Sequence, residues 1–255
     1  MRENTPLTRW KAGEVTYGGW LSIPSSFTAE IMAHQGFDWL CIDMQHGLID
    51  YQVAVTMLQA VSTTPTIPFV RVPWNEFGII GKMLDAGAYG IIVPMVNSVE
   101  EARAAVAACK YYPLGVRSFG PARAAIYAGA DYFAAANETV LCIPMIETRQ
   151  AVERIDDILA VPGVDAVYVG PADLSITYGL PPRMDNDGVF PEALAKVVAS
   201  CKAHGVVPGI HCTSALAGKR AAGGFQMITV GSDSGGVSAQ AARDLKAARD
   251  QAGQG

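Results

Sequence analysis

Several features that identify common classes of protein are missing from this sequence. Only 17% of its 255 residues are charged, the formal net charge is −5, and lysine and arginine form no cluster. Nucleic acids and anionic membranes bind proteins through concentrated positive charge, so neither is expected as a partner. No apolar run approaches the roughly 18 residues of a membrane span, and the opening "MRENTPLTRWKAGEV" has no apolar signal-peptide core. We therefore expect a soluble protein without a targeting segment.

Cysteine and lysine are informative through their placement. The five cysteines are odd in number and form no C-x-x-C pair, which is typical of reduced thiols in a cytoplasmic protein. All the lysines fall in predicted helices or peripheral loops. None is therefore expected to form a Schiff base inside the fold, and chemistry on a carbonyl group would need a metal ion instead.

The sequence does contain a regular alternation of short apolar runs and alanine-rich helical stretches. The runs are apolar on both faces, as buried parallel strands are. Eight of them predict a single-domain (β/α)8 TIM barrel over residues 1–255, with a C-terminal helix and polar tail at 238–255. A doubly wound open sheet is the alternative, but no G-x-G-x-x-G turn follows an early strand. The predicted strands are 15–22, 38–43, 67–72, 89–95, 140–147, 166–171, 207–212 and 225–232.

Two carboxylates follow neighbouring predicted strands. In a TIM barrel the residues that end the strands meet at one mouth. Glu147 ends the fifth strand and Asp173 follows the sixth by two residues, which suits a hard divalent cation such as Mg²⁺ or Mn²⁺. The alternative is structural: Glu147 caps the next helix or pairs with Arg149, and Asp173 caps a helix start.

A histidine and an arginine lie at the ends of two earlier strands. His46 follows "DWLCIDMQ", and its side chain titrates near neutrality, as a general base should. Asp43, or an acid of the next βα unit such as Asp85, could hold its ring in one tautomer; a purely structural histidine is the alternative. Arg71 ends an apolar strand and needs an anionic partner there. We expect it to contact a ligand in preference to a salt bridge.

Three further features are less specific. The small residues of "VGSDSGG", 230–236, resemble the late-strand loops that hold phosphate in many barrels. His211 lies at the end of the seventh predicted strand, where lining a pocket is the expected role. The segment 114–137 is longer than an ordinary βα loop, and we expect it to shape the pocket.

Taken in order, the motifs "DMQHG", "VRVPWN", "GVRSFG", "MIETRQ" and "VYVGPADLS" resemble the HpcH/HpaI class II aldolases, which are metal-dependent pyruvate aldolases of the phosphoenolpyruvate/pyruvate superfamily. The resemblance covers nearly the whole chain. It implies that Glu147 and Asp173 bind the metal ion, Mg²⁺ or Mn²⁺, with Co²⁺ and Zn²⁺ as further candidates. It also implies a cytoplasmic homohexamer, built as a trimer of dimers, whose C-terminal helices are exchanged between subunits.

The resemblance implies roles for the remaining polar residues at the strand ends. His46 resembles the base that works through a water beside the metal ion, with Asp43 and Asp85 as supporting acids. Arg71 resembles the cation that faces the keto oxygen. The two implied roles belong to one reaction: the base removes a proton, and the cation stabilises the negative charge that results.

The implied reaction is reversible aldol addition or cleavage between pyruvate or hydroxypyruvate and an aldehyde, giving 4-hydroxy-2-oxo acids. The substrate carboxylate is expected on the backbone amides near Ala172 and Asp173, with Gly170 shaping the floor. Alternatives are an acyl-CoA thioester lyase of the same superfamily, a non-catalytic barrel that binds a keto acid, and a phosphate-binding isomerase or synthase. Gln45 and Met145 replace a glutamate and a glutamine common in the family, so the choice between the two donors stays open.

Overall fold

Eight parallel strands close into a barrel, as the sequence predicts. The computed structural model describes residues 1–252. Each strand pairs with the next and β8 pairs with β1, so the carboxyl ends of all eight open at one mouth. The strands are β1 Thr16–Leu21, β2 Trp39–Asp43, β3 Ile67–Arg71, β4 Gly90–Val93, β5 Leu141–Ile146, β6 Ala166–Val169, β7 Val207–Ile210 and β8 Met227–Ser232.

Helices alternate with the strands around the barrel. Several begin at a side-chain cap: Asp50, Ser98 and Thr148 each accept an N–H from the first turn that follows. The C-terminal helix begins at Asp233, ahead of the predicted residue 238, because Ser232 caps it. The helices are α1 Thr5–Lys11, α2 Ser26–Ala33, α3 Tyr51–Val61, α4 Phe77–Asp85, α5 Val99–Cys109, α6 Ala122–Ala128, α7 Tyr132–Thr139, α8 Arg149–Glu153, α9 Ile155–Leu159, α10 Pro171–Thr177, α11 Val189–His204, α12 Ser214–Ala222 and α13 Asp233–Gln251.

Large aromatic side chains fill the interior of the barrel. Trp39 stacks on Phe69 with ring centroids 5.6 Å apart, and it meets Tyr168 edge-on at 6.5 Å. All three are fully buried. Gly18 leaves room for the indole, since a Cβ there would lie 2.2 Å from the Trp39 ring. Because the interior is packed below the mouth, ligands can bind only at its surface and not along a channel.

The segment 114–137 lies at the opposite end of the barrel from the mouth. It follows α5, which returns the chain to the amino-terminal ends of the strands, and it enters β5 from that end. The prediction that it shapes the pocket is wrong for a single chain, because it connects a helix to the next strand and contains α6 and α7. Exposed apolar side chains lie along it and beside it: Tyr112, Leu114, Val116, Phe119, Ile126 and Phe133.

Lys110 is a buried ionisable residue outside the mouth, and its ammonium group has structural partners. The ammonium of Lys110 contacts Asp165 at 2.8 Å and the carbonyls of Asn137 and Val140 at 2.9 and 2.6 Å, next to the start of β6. This buried lysine is thus at the wrong end of the barrel for carbonyl chemistry.

The five cysteines are buried free thiols, as expected. Among the helices of residues 1–252, none is both long and apolar enough to cross a membrane.

Candidate active site

The ends of β2 and β3 bring Asp43 and Arg71 together. They are paired residues in the sheet, and the guanidinium donates from Nε and Nη2 to the two carboxylate oxygens at 2.8 and 2.6 Å. Burial acts to raise the pKa of Asp43, but the hydrogen bonds and charge of Arg71 outweigh it and hold that pKa below its usual value. The salt bridge that was the less favoured alternative for Arg71 is therefore present, and contact between Arg71 and a ligand stays a prediction. Arg71 nevertheless lines the pocket at the mouth, and only Nε and Nη2 are used by Asp43.

His46 lies in the turn after β2, with its side chain exposed in the same pocket. The Oδ1 atom of Asp43 accepts the backbone N–H groups of Gln45 and His46 at 3.0 and 3.3 Å. Asp43 therefore fixes the turn that positions His46, and it does not bond the ring. Within residues 1–252 the imidazole has no hydrogen-bond partner, so both ring nitrogens are free to meet a ligand or water.

Asp85 does not join this group within one chain. It ends α4, near the amino-terminal end of the barrel, and its carboxylate accepts a hydrogen bond from Arg117 at 2.7 Å. Arg117 in turn donates to the Tyr132 hydroxyl and lies 4.6 Å from the centre of the Tyr111 ring. Within one chain the two side chains belong to opposite ends of the barrel. The expected support of His46 by Asp85 therefore stays a prediction.

Glu147 directly follows β5 and is only 2% exposed. Its Oε1 accepts the backbone N–H of Met95 at 2.8 Å. Met95 has a φ of 56°, a left-handed conformation uncommon for residues other than glycine, and this conformation aims its N–H at the carboxylate. Burial, with a smaller contribution from the charge of Asp173, raises the pKa of Glu147 to about 7.

The structural alternative for Glu147 fails. Thr148 caps α8 by accepting the N–H of Ala151, and Arg149 pairs with Glu153 at 2.7 Å. Neither expected structural partner therefore involves the Glu147 carboxylate. A buried acid that leaves one oxygen without a donor needs another explanation, because desolvation without compensation is costly.

Gly170 and Asp173 complete this side of the pocket. A Cβ on Gly170 would lie 2.5 Å from Oε2 of Glu147, so a glycine is required where β6 passes the carboxylate. Asp173 lies in the first turn of α10 and lines the pocket. No side chain caps α10, so Asp173 is not a helix cap, and the amides of Ala172 and Asp173 have no side-chain partner within residues 1–252.

The two carboxylates fit a divalent cation. Their mutual repulsion contributes to the raised pKa of Glu147, and a cation between them would remove that repulsion. Carboxylate oxygens are the ligands that Mg²⁺ and Mn²⁺ prefer. Across residues 1–252 no group of three or more His, Cys, Asp or Glu side chains is arranged to hold a metal ion. Two protein ligands would leave the other coordination positions to substrate and water.

The pocket, of about 260 Å³, also contains residues that the sequence did not mark. Trp20 projects from β1, donates from Nε1 to Asp43 at 3.0 Å, and lies 4.9 Å from the guanidinium carbon of Arg71. Tyr168 stacks on Trp20 with ring centroids 5.4 Å apart. The sequence did contain a signal for Tyr168. Residues two positions apart on a strand share a face, so the assignment of Gly170 to the pocket also predicts that Tyr168 points toward it. No comparable signal marked Trp20.

The loop 230–236 contains a buried carboxylate, that of Asp233. The buried Asp233 carboxylate accepts the backbone N–H groups of Ser22, Ile23 and Ser234, at 3.0, 3.0 and 2.7 Å. Asp233 thus brings a negative charge into this loop and takes up the N–H of Ser234, and both effects disfavour an anion there. This contact removes the basis for a phosphate-binding isomerase or synthase.

The fold and this pocket define a TIM-barrel enzyme with an acid–base site at the carboxyl ends of its strands. The chain belongs to the HpcH/HpaI aldolase/citrate lyase family, whose family model matches residues 17–239. It is 41% identical over 248 residues to the hydroxypyruvate/pyruvate aldolase of Rhizorhabdus wittichii, covering 96% of this chain and 99% of that protein. It is 39% identical over 227 residues to the 4-hydroxy-2-oxo-heptane-1,7-dioate aldolase of Salmonella arizonae, covering 88% and 86%.

Solved structures agree with this assignment. The crystal structure of an HpcH/HpaI aldolase/citrate lyase family protein from Burkholderia cenocepacia superimposes with a TM-score of 0.89 at 33% identity. The match covers 96% of this chain and 99% of that one. The chain is therefore a lyase of the class II pyruvate aldolase type, as the motifs predict, and its fold is confirmed over nearly its full length.

Proposed function

We propose that this protein catalyses reversible aldol addition and cleavage between pyruvate or hydroxypyruvate and an aldehyde. The observation that carries the proposal is the buried Glu147 carboxylate, which lines the pocket together with Asp173 and accepts one hydrogen bond within residues 1–252. Arg71 supplies a fixed positive charge in the same pocket. A site of this kind suits a reaction in which negative charge develops on a small keto acid.

Glu147 and Asp173 are proposed to hold a divalent cation, Mg²⁺ or Mn²⁺. When bound, the cation would polarise the keto oxygen of the substrate and stabilise the negative charge that develops there. The substrate carboxylate is proposed to accept hydrogen bonds from the backbone amides of Ala172 and Asp173, which have no side-chain partner. Gly170 keeps this floor open, because any side chain would collide with Glu147.

The chain's own side chains would move the proton. His46 is proposed to take a proton from C3 of the keto acid, directly or through one water, because its imidazole is exposed in the pocket and unbonded within residues 1–252. The electron pair left on C3 forms the new bond to the carbonyl carbon of the aldehyde, whose oxygen then takes a proton. Arg71, held by both carboxylate oxygens of Asp43, is proposed to stabilise the charge on the keto oxygen.

The test is exchange of the C3 protons in D₂O, which requires no knowledge of the aldehyde. Incubation with pyruvate or hydroxypyruvate and Mg²⁺ or Mn²⁺ should remove the C3 proton signal from the NMR spectrum. EDTA treatment or Glu147→Gln should abolish the exchange, and His46→Ala should slow it by about 10²-fold or more. If neither donor exchanges, the non-catalytic barrel or the acyl-CoA lyase becomes the better explanation, and a CoA titration would separate these two.

We also propose that the protein is a homo-oligomer, a hexamer in which α13 packs on a partner subunit. From Ser234 to Gln251 every residue of this helix is exposed, including Val237 and Leu245. A helix with so little contact to its own barrel gains stability mainly from packing elsewhere. Light scattering should give the mass of six chains, and Leu245→Asp should reduce it. A monomeric wild-type protein would refute this proposal.

A further inference from the structure

His211 lies in the pocket, and the reaction proposed above gives it no role. The register of β5, β6 and β7, continued one position past the last pairs, sets Glu147 beside Gly170 and Gly170 beside His211 at the mouth. Neighbouring strands are about 4.8 Å apart, which puts the backbones of Glu147 and His211 roughly 10 Å apart. Gly170 between them contributes no side chain. The space between the carboxylate and the imidazole is therefore open to a small ligand.

A chain of hydroxyl groups fixes the His211 ring from below. The Tyr168 hydroxyl lies 3.2 Å from Nδ1 of His211 and also contacts the hydroxyl of Thr229. Thr229 is fully buried, and its hydroxyl has no other partner within residues 1–252. Thr229 must therefore donate to Tyr168, because its proton would otherwise be buried without an acceptor. Tyr168 then donates to Nδ1, and the proton of the neutral imidazole is on Nε2.

The imidazole is also held neutral and in place. Burial, followed by the positive charge of Arg71, lowers the pKa of His211 to about 4. The edge of the ring packs against Trp20 with centroids 5.0 Å apart and an angle of 86° between the planes. Nε2 has no hydrogen-bond partner within the described residues. His211 therefore presents one oriented N–H donor, without a positive charge, in the pocket that Glu147 also lines.

We propose that His211 is a specificity-determining residue whose Nε2–H donates a hydrogen bond to an oxygen on C3 of the donor, so that a 3-hydroxylated 2-keto acid such as hydroxypyruvate is preferred to pyruvate. This inference rests on the proposed aldolase reaction and on a keto acid bound beside Glu147. A C3 hydroxyl gives the N–H an acceptor. The methyl group of pyruvate gives it none, and a polar group that loses its water without gaining a partner disfavours the complex.

The experiment compares the metal-loaded wild type with His211→Leu and His211→Gln. Leucine fills the site without a donor, whereas glutamine places an amide N–H near the position of Nε2. For each protein, kcat/KM for C3 exchange in D₂O is measured with hydroxypyruvate and with pyruvate. The ratio of the two values should fall about tenfold in His211→Leu and recover in large part in His211→Gln. A matching ¹⁵N NMR spectrum of the wild type should identify the Nε2–H tautomer of His211.

Three results would overturn the inference. They are an unchanged ratio in His211→Leu, an equal loss with both donors in both variants, and an Nδ1–H tautomer in the spectrum. If circular dichroism shows that His211→Leu does not fold, His211→Gln and the tautomer still test the inference. A His211→Gln protein that has a normal melting temperature but a ratio far below that of the wild type contradicts the role given to the donor. Exchange with neither donor in the wild type would instead refute the proposed reaction itself.

Discussion

The raised pKa of Glu147 makes a quantitative prediction about how pH acts on the metal-free protein. Its pKa rises from the ordinary value of 4.5 to about 7 on folding. Between these two pH values the unfolded chain releases the proton of Glu147 while the folded protein keeps it. The free energy of unfolding therefore falls as the pH rises through this window, by about 3 kcal/mol from this one group, at about 1.4 kcal/mol per unit of pKa.

Glu147→Gln isolates this contribution from those of the other acids. Glutamine keeps an oxygen for the N–H of Met95 but cannot ionise, so the variant should lack the loss of stability between pH 4.5 and 7. Urea denaturation with EDTA at pH 5, 6, 7 and 8 measures the difference between the two proteins. We expect it to change by about 2.5 kcal/mol in favour of the variant between pH 5 and pH 8.

The same measurement with Mg²⁺ should reverse the order of stability. A cation binds the ionised carboxylate, so Mg²⁺ should stabilise the wild type more at pH 8 than at pH 6. Below the pKa of Glu147, the affinity for Mg²⁺ should fall roughly tenfold for each unit of pH. The variant should gain little at either pH. Parallel pH profiles for the two proteins with EDTA, or equal stabilisation of both by Mg²⁺, would refute the reasoning.

Substitutions at three further positions, Gly170, Asp43 and Met95, test the geometry of the site. Gly170→Ala places a Cβ 2.5 Å from Oε2 of Glu147 and should weaken metal binding at least about tenfold by calorimetry, whereas Gly81→Ala, with nothing within 4 Å of its Cβ, should not. Asp43→Asn leaves a buried guanidinium without a counter-charge and should lower the free energy of unfolding by about 3 kcal/mol in urea; a loss below about 1 kcal/mol would contradict this. Met95→Gly keeps the N–H to Glu147 and suits the left-handed φ, so stability should change by less than about 1 kcal/mol, while Met95→Pro removes the donor and should reduce metal affinity.

The barrel could be predicted from the sequence because it depends on local patterns. Apolar runs of strand length, separated by helices, specify parallel strands buried on both faces, and the closed order of the strands then follows. The same reasoning places Glu147 and Asp173 at one mouth, because position relative to a strand end is readable from the chain. These features required no knowledge of contacts between distant residues.

Details that depend on register and on side-chain partners were not predictable. The pairing of Asp43 with Arg71 follows from their being register partners in neighbouring strands, which no spacing along the chain reveals. The N–H of Met95 reaches Glu147 only through an unusual φ in an irregular loop. The segment 114–137 was misplaced for a related reason, since its length and composition do not show which end of the barrel it occupies.

The position of Trp20 gives the protein a built-in optical reporter. The chain has four tryptophans. Trp10 and Trp39 are buried in the core, Trp74 is 58% exposed, and of the four only Trp20 lines the pocket, in contact with Arg71, Tyr168 and His211. Indole emission depends on nearby charges and on quenching groups, so a keto acid or metal ion entering the pocket should change its intensity and wavelength. Ligand affinities can therefore be read from unlabelled enzyme in a fluorimeter, with Trp20→Phe as the silent control.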